Sequence, residues 1–540
     1  MPGREPADQE PAGGRAAQPD TRDARAPAAP KAGSSDRRRL VGTAGLWLSI
    51  FSVSLGLFVV RFLVPAPVGQ ADNHDGPRLM CALGVQPVTG GSARWFSYAF
   101  FEFAPSASCA RVSLYRSSQG VPLGLAKWLT PMLGLPGTVN LIALGLLTCA
   151  IASAGIASLA TGLRLRLWAQ LLVAAVVWLI MADAAFFDVY ASPFSDSAAL
   201  IGLLLVAAGV VYLGRSWAAT VFGLILAGSG GFLAILAKEQ YVILVVPICL
   251  TLILASAVRG RGRWPRRFFR WQTGAAVAVA AVLTVLAAAY VHWDSTSAYA
   301  AHLHREQTVD VIFVDIVSGH DNVRADLRAL GLPASWARYA GHDYFTQVSV
   351  RNDPLYERYG AKLSGTNIAH FLLTHPNRII SIGQLAAADA QQFRATNMGS
   401  YLPSAHHPPG AIENRVVAVT WLMRKLPPTL GLLWYVPLWS AMAAMAIVAL
   451  FLRGGEAWRR DGAVLVLCMT GCAIAAFIPA AYSEAISTPR HMVGMNIATA
   501  LAVPISLALG ISMVRQALVR PRRRPWPVAV AAPEPAQPGR

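Results

Sequence analysis

The sequence predicts an all-α polytopic membrane protein with about ten transmembrane helices and long polar stretches on one side. Three observations carry that expectation. Of the 540 residues, 55% are hydrophobic and only 14% are charged, whereas soluble domains carry roughly 25% charged residues. Ten apolar runs are each long enough to cross a bilayer. Arginine is concentrated in alternate connections between those runs, so the net charge of +18 reads as membrane topology and not as a nucleic-acid surface.

Residues 1–36 are Pro, Ala, Gly, Arg and Asp with almost no large apolar side chain, and cannot offset their chain entropy by burial. They are expected to form a disordered cytoplasmic tail. A bilayer core of roughly 30 Å needs about 20 apolar residues at about 1.5 Å each. The segments that qualify are 40–63, 137–160, 167–186, 197–214, 217–237, 241–258, 273–292, 430–452, 462–482 and 491–514. With the N-terminus inside, the cytoplasmic connections hold Arg37, Arg38 and Arg39, then Arg164, Arg166, Arg215, the arginine run of 259–270, and Arg453, Arg459 and Arg460. The short opposite loops hold only Lys238 and Arg490. Both termini are then cytoplasmic. The division expected is a first membrane module over 37–292 with an outer loop at 64–136, an extracytoplasmic region at 293–429, three further helices within 430–514, and a basic disordered tail over 515–540.

Within the long outer region, Ile368, Phe371 and Leu372 recur at helical spacing, which predicts an amphipathic helix at the membrane surface, joined by another near 416–426. An ordinary helix of a small soluble subdomain would show the same spacing. Cys149, Cys249, Cys468 and Cys472 lie in apolar runs as packing residues. Cys81 and Cys109 share the first outer loop, which leaves a disulfide and two free thiols both open.

Four polar clusters fall on the outer face. Asp72-Asn73-His74-Asp75-Gly76 follows the first helix and places two carboxylates and an imidazole near the interface, suited to taking a proton or holding a cation, although such residues also make solvated turns. The link between the third and fourth helices carries Asp183, Asp188 and Asp196. Asp196 is a candidate helix cap, and Asp183 sits deeper, where an ionised group is costly. Lys238-Glu239-Gln240 places a lysine against the positive-inside bias, and Arg490-His491 stands at a helix N-terminus, where a phosphate is also favoured. Together they suit an amphiphilic substrate with an anionic head. Sugar transfer from a lipid phosphate needs a base for the acceptor hydroxyl and cations for the departing phosphate.

This layout resembles the GT-C superfamily of multi-spanning glycosyltransferases. Residues 73–76 resemble its first-loop Asp-Gly motif, and residues 190–196 resemble the Tyr, Ser and acid element before the fourth helix. Lys238 and Gln240 resemble its Lys-x-Gln step, and residues 371–376 resemble its Phe-Leu and His-Pro interface helix. Residues 72–80 are similar to bacterial glycan-biosynthesis hexosyltransferases of the WsfD type. The resemblance implies a polyprenyl-phosphate sugar as donor and a glycan or lipid as acceptor. It further implies inverting transfer, with Asp75 as base and Asp72 as its partner or the alternative base. Lys238, Arg490 and His491 would hold the donor phosphate, with His74, Asp183, Asp188, Asp196 and Gln240 in support. A divalent cation (Mg or Mn) on Asp72, Asp75 and Asp196 is left open, as is the sugar. Two other classes compete: a transporter or flippase of a lipid-linked glycan, and an O-antigen-type polymerase or ligase using Arg338, Arg351, Arg358 and Arg378.

Overall fold

The computed structural model describes residues 34–519 except 74, 89–93, 113–114, 260–265, 319–321, 395, 453–455 and 487. The chain divides into one unit up to Gly45 and another from Leu46 to Arg540. The side chains at 37–39 and in the 259–270 run, Arg453, and the tails 1–33 and 520–540 lie outside the described residues.

The expected all-α class holds. Helix α1 (Ser34–Leu63) stops just before Pro65, whose ring disfavours helix in the preceding residue. The first outer loop is not featureless. It carries α2 (Gly76–Met80), strands β1 (Val85–Pro87) and β2 (Glu102–Pro105), and α3 (Gly120–Met132), and β3 (Val139–Asn140) follows it. The strands form an antiparallel sheet in the order β1-β2-β3, with Val85 opposite Pro105 and Glu102 opposite Asn140. Cys81 and Cys109 are disulfide-bonded beside it, so the first of the two readings holds.

Next comes α4 (Leu141–Gly162), capped by the Asn140 side chain, which accepts from the Ile142 amide at 2.9 Å. Then follow α5 (Leu167–Ala182), α6 (Ala184–Phe187), α7 (Asp196–Val210), α8 (Trp217–Ile235), α9 (Val245–Arg259) and α10 (Arg266–Thr296). The long outer region holds α11 (Ala298–Asp310), α12 (Val323–Ala329), α13 (Gly365–Thr374), α14 (Pro376–Ala390) and α15 (Ala418–Arg424). Then α16 (Gly431–Phe451), α17 (Ala457–Tyr482), the single turn α18 (Thr488–His491) and α19 (Val493–Val519) complete the order.

The count of ten spans needs correcting. Among the described residues, eight helices are long and apolar enough to cross a membrane, and a ninth exists if α5 and the turns after it count as one span bent by 62°. The remaining expected segment, the fourth (197–214), is α7, which has 15 residues and reaches only about 22 Å at about 1.5 Å per residue. It is also interior: all its residues are buried, against α8, α4 and α19 among others. A Cβ on Gly202 would lie 2.5 Å from the Gly230 carbonyl oxygen, and one on Gly209 would lie 2.6 Å from that of Gly223. The backbones of α7 and α8 therefore touch, as small residues permit between membrane helices.

The outer region has its own hydrophobic core, built from Val309, Phe313, Trp336, Ile368 and Phe371 among others. The apolar face of α13 is thus largely a subdomain face, as the blander reading allowed. Leu373, 79% exposed, together with Ile380, Trp421 and Leu422, still presents apolar surface outward from α13, α14 and α15. At the end of the bundle away from this region, Asp461 binds Arg164 at 3.3 Å and Arg215 at 2.6 Å.

Candidate functional site

Four segments far apart in the chain meet at one end of the bundle: the loop after α1, the α6–α7 link, the α8–α9 step and α18. They surround a cavity of about 560 Å³ whose polar lining includes Asp75, Arg78, Lys238, Glu306, Glu484 and Arg490. Arg490 is its pivot. Its Nη1 donates to Asp75 Oδ2 at 2.8 Å, its Nε donates to Asp196 Oδ2 at 3.2 Å, and its guanidinium lies 3.9 Å over the Phe194 ring. Burial alone would disfavour its charge, but Asp75 and Asp196 outweigh that and push its pKa up. Asp196 Oδ1 also accepts from the Tyr241 hydroxyl at 3.2 Å, and no side-chain cap forms at the start of α7. The acid expected as a cap is a buried ion-pair partner.

Asp72 and Asp75 have different surroundings. Asp72 is buried, with Oδ1 accepting from the Gly76 amide at 3.0 Å. A Cβ on residue 76 would fall 1.7 Å from Asp72 Oδ2, so the turn requires glycine there. The Asp75 side chain faces the cavity, 43% exposed. Burial pushes its pKa up, but Arg490, Lys238 and Arg78 outweigh that and hold its carboxyl below the usual carboxylate range. His74 lies outside the described residues.

Lys238 lines the same cavity. Its Nζ is 3.2 Å from Glu484 Oε1 and 2.9 Å from His491 Nδ1, while Gln240 Nε2 donates to the His491 carbonyl at 3.1 Å. Burial first, then Lys238 and Arg490, hold the His491 pKa well below its ordinary value. Its ring therefore contributes hydrogen bonding and no charge.

Two of the expected supporting acids are committed elsewhere. Asp183, fully buried at the α5–α6 bend, accepts from the amides of Ala185, Val419 and Thr420 and from the Thr420 hydroxyl, which ties α15 to the bend. Asp188 pairs with Arg394 and accepts from Ser400 at 2.7 Å. Neither lines this cavity. None of Arg338, Arg351, Arg358 and Arg378 lines it either; Arg338 and Arg378 are each bound at 2.5 Å, to Asp353 and Asp326.

The structure adds Tyr115, Glu306, Gln307, Asp310, Asp343 and Glu484 to the cavity. Glu484 had a signal, a lone acid directly after a long apolar span; the α11 residues had none, because an isolated polar helix does not announce what it faces. Burial, reinforced by Asp343, Glu306 and Glu484 and opposed by the Tyr344 amide, pushes Asp310 up to about 7. Among the described residues the acid and imidazole grouping with metal-ligand spacing is Glu239, Asp294 and His304, not Asp72, Asp75 and Asp196.

Comparison with curated proteins and with solved structures gives no match. A family model does match. It is described as the YfdI N-terminal transmembrane domain, and it covers residues 35–483, which includes every wall of the cavity except Glu484 and the residues after it. By fold, span content and this match, the chain is a multi-pass membrane protein that belongs to the YfdI N-terminal transmembrane domain family.

Proposed function

We propose that the protein is a membrane glycosyltransferase that moves a hexose or related sugar from a polyprenyl-phosphate donor to a glycan or lipid acceptor on the extracytoplasmic face. One observation carries the reading: a carboxylate, Asp75, faces a cavity at the bundle end directly beside Arg490, in a lining that also includes Lys238. The association of the YfdI family with glycosyltransferase-like proteins is in keeping with it.

In this reading the donor phosphate takes the guanidinium of Arg490 and the ammonium of Lys238. Occupying Arg490 removes the ion pair that depresses Asp75, so donor binding raises the basicity of the carboxylate when a base is needed. The acceptor hydroxyl gives its proton to Asp75, its oxygen bonds to the anomeric carbon, and the bond from that carbon to the phosphate oxygen breaks. Polyprenyl phosphate leaves as an anion on the two cations. Asp72 acts through the turn that carries Asp75, and Asp196 positions Arg490. The outward placement is supported by the Cys81–Cys109 disulfide and by Arg164, Arg215 and Arg459 at the other bundle end.

The test is incubation of the purified protein in lipid nanodiscs with labelled polyprenyl-phosphate hexoses and cell-envelope acceptors. Transfer that depends on Asp75 supports the reading. Donor passage across a bilayer without any new glycosidic bond would replace it with a transporter.

A further inference from the structure

Beside the Asp75–Arg490 cavity lies another of about 520 Å³, lined by Glu239, His304, Ile368, Leu372 and Tyr482 among others. Glu239 opens the short turn before α9, Asp294 sits in the last turn of α10, and His304 lies midway along α11. These three unrelated elements bring one nitrogen and two carboxylate oxygens within 4.8 Å of one another. We propose that Glu239, Asp294 and His304 bind a single divalent transition-metal cation of the Mn²⁺ or Zn²⁺ class, a site independent of the glycosyl-transfer reading.

The distances suit ligation. His304 Nε2 is 3.6 Å from Glu239 Oε2 and 3.4 Å from Asp294 Oδ2, longer than a charge-assisted hydrogen bond of about 2.7–2.9 Å. A tetrahedral ion about 2.1 Å from each ligand holds those ligands about 3.4 Å apart. The spacing is that of a coordination edge. Gln307 Nε2 donates to Glu239 Oε1 at 3.0 Å and so aims Oε2 toward His304, the outer-shell arrangement that orients metal-binding carboxylates. Two carboxylates and a neutral imidazole balance a divalent charge, and the nitrogen favours transition metals over Mg²⁺ or Ca²⁺. Glu239 and His304 both border the cavity, which leaves a further coordination position for water or a substrate oxygen. Gln307 also donates to Glu484 Oε1 at 3.1 Å, and Glu484 holds Lys238. The ion would thus sit one hydrogen-bond relay from the proposed phosphate pocket.

The experiment uses the full chain in nanodiscs, stripped with chelator and titrated with Mn²⁺ while electron paramagnetic resonance follows the free ion. Wild type is expected to take up one equivalent and to show nitrogen modulation from the imidazole in the bound spectrum. His304→Gln should lose that modulation, and it, Glu239→Gln and Asp294→Asn should each weaken binding at least tenfold. Glu357→Gln, a surface change, should bind as wild type. His304 is half-exposed, so its variant remains decisive even if a carboxylate variant fails to fold. Absence of a saturable equivalent in wild type, a bound ion without nitrogen modulation, or unchanged affinity in His304→Gln would overturn the proposal. None of these readouts involves sugar transfer, so its failure and that of the enzymatic reading are separately visible.

Discussion

At the scale of single residues, the proposed reaction turns on the Asp75–Arg490 pair. A carboxylate held below its usual range is a weak base, and its activation depends on what its cation is doing. Replacing Asp75 by Asn keeps its size and removes its basicity, so single-turnover transfer at saturating donor should fall about 10²- to 10⁴-fold with donor binding retained. Near-normal rates would move the base elsewhere in the cavity. Lys238→Ala and Arg490→Ala each remove a charged hydrogen bond to phosphate worth about 1.5–3 kcal/mol, so donor kcat/KM should drop about 10- to 150-fold. In Arg490→Ala the acid limb of kcat/KM against pH should also rise toward the ordinary carboxylate range, which a purely structural arginine would not cause. Asp310 works in the opposite sense. Its folded pKa of about 7 stands above the ordinary Asp value of about 4, so the folded state binds the extra proton in that window. Stability from this group is present at low pH and is lost as pH rises to about 7. Asp310→Asn should therefore flatten the decline of thermal stability between pH 5 and 8, measured by melting in detergent. Part of this pocket was legible before the fold, because Lys238 stands against the positive-inside bias, Arg490 and His491 stand at a helix N-terminus, and Asp75 belongs to an acidic cluster close to the first span. What sequence could not assign was partnership. Asp75 and Arg490 are 415 residues apart, and Asp183, an equally conspicuous acid, turns out to tie α15 to a bend.

At the scale of elements, the spans were readable because bilayer thickness fixes their length and apolar content. The β1–β3 sheet was not, since its strands are of two to four residues and exist only through pairing. The shortfall of α7 was also hidden, because an apolar run does not reveal whether lipid or protein surrounds it. Its contact with α8 leads to a clear expectation. A side chain at Gly202 meets the Gly230 carbonyl, so Gly202→Val should force the two helices apart and lower the melting temperature strongly. Ala198→Gly, one turn earlier on the same helix, should cost only about 2 kcal/mol, from helix propensity and one lost buried methyl. Similar melting temperatures for the two variants would contradict the close approach.

At the scale of the whole molecule, the charge pattern and the cavity fix opposite ends of the bundle. In a chain whose Cys81 and Cys109 are joined, a single cysteine at Leu373 should be labelled by an impermeant maleimide from outside intact cells, and one at Arg460 only after permeabilisation. Labelling of both from the same side would reverse the orientation and with it the proposed reaction compartment. Helix α17 has 26 residues and α7 has 15, and Asp196 and its Arg490 partner sit at the end of the shorter one. A helix of that length covers about 22 Å of the roughly 30 Å of a bilayer core, so on the proposed reading the polar end of α7 is expected to lie below the headgroup level. Such an arrangement is expected to respond to bilayer thickness. Lipids with longer acyl chains would sink the recess further from the headgroup layer where a donor's phosphate normally rests, and shorter ones would bring the two level. Turnover in nanodiscs of graded chain length should then pass through an optimum on the thin side of an ordinary membrane.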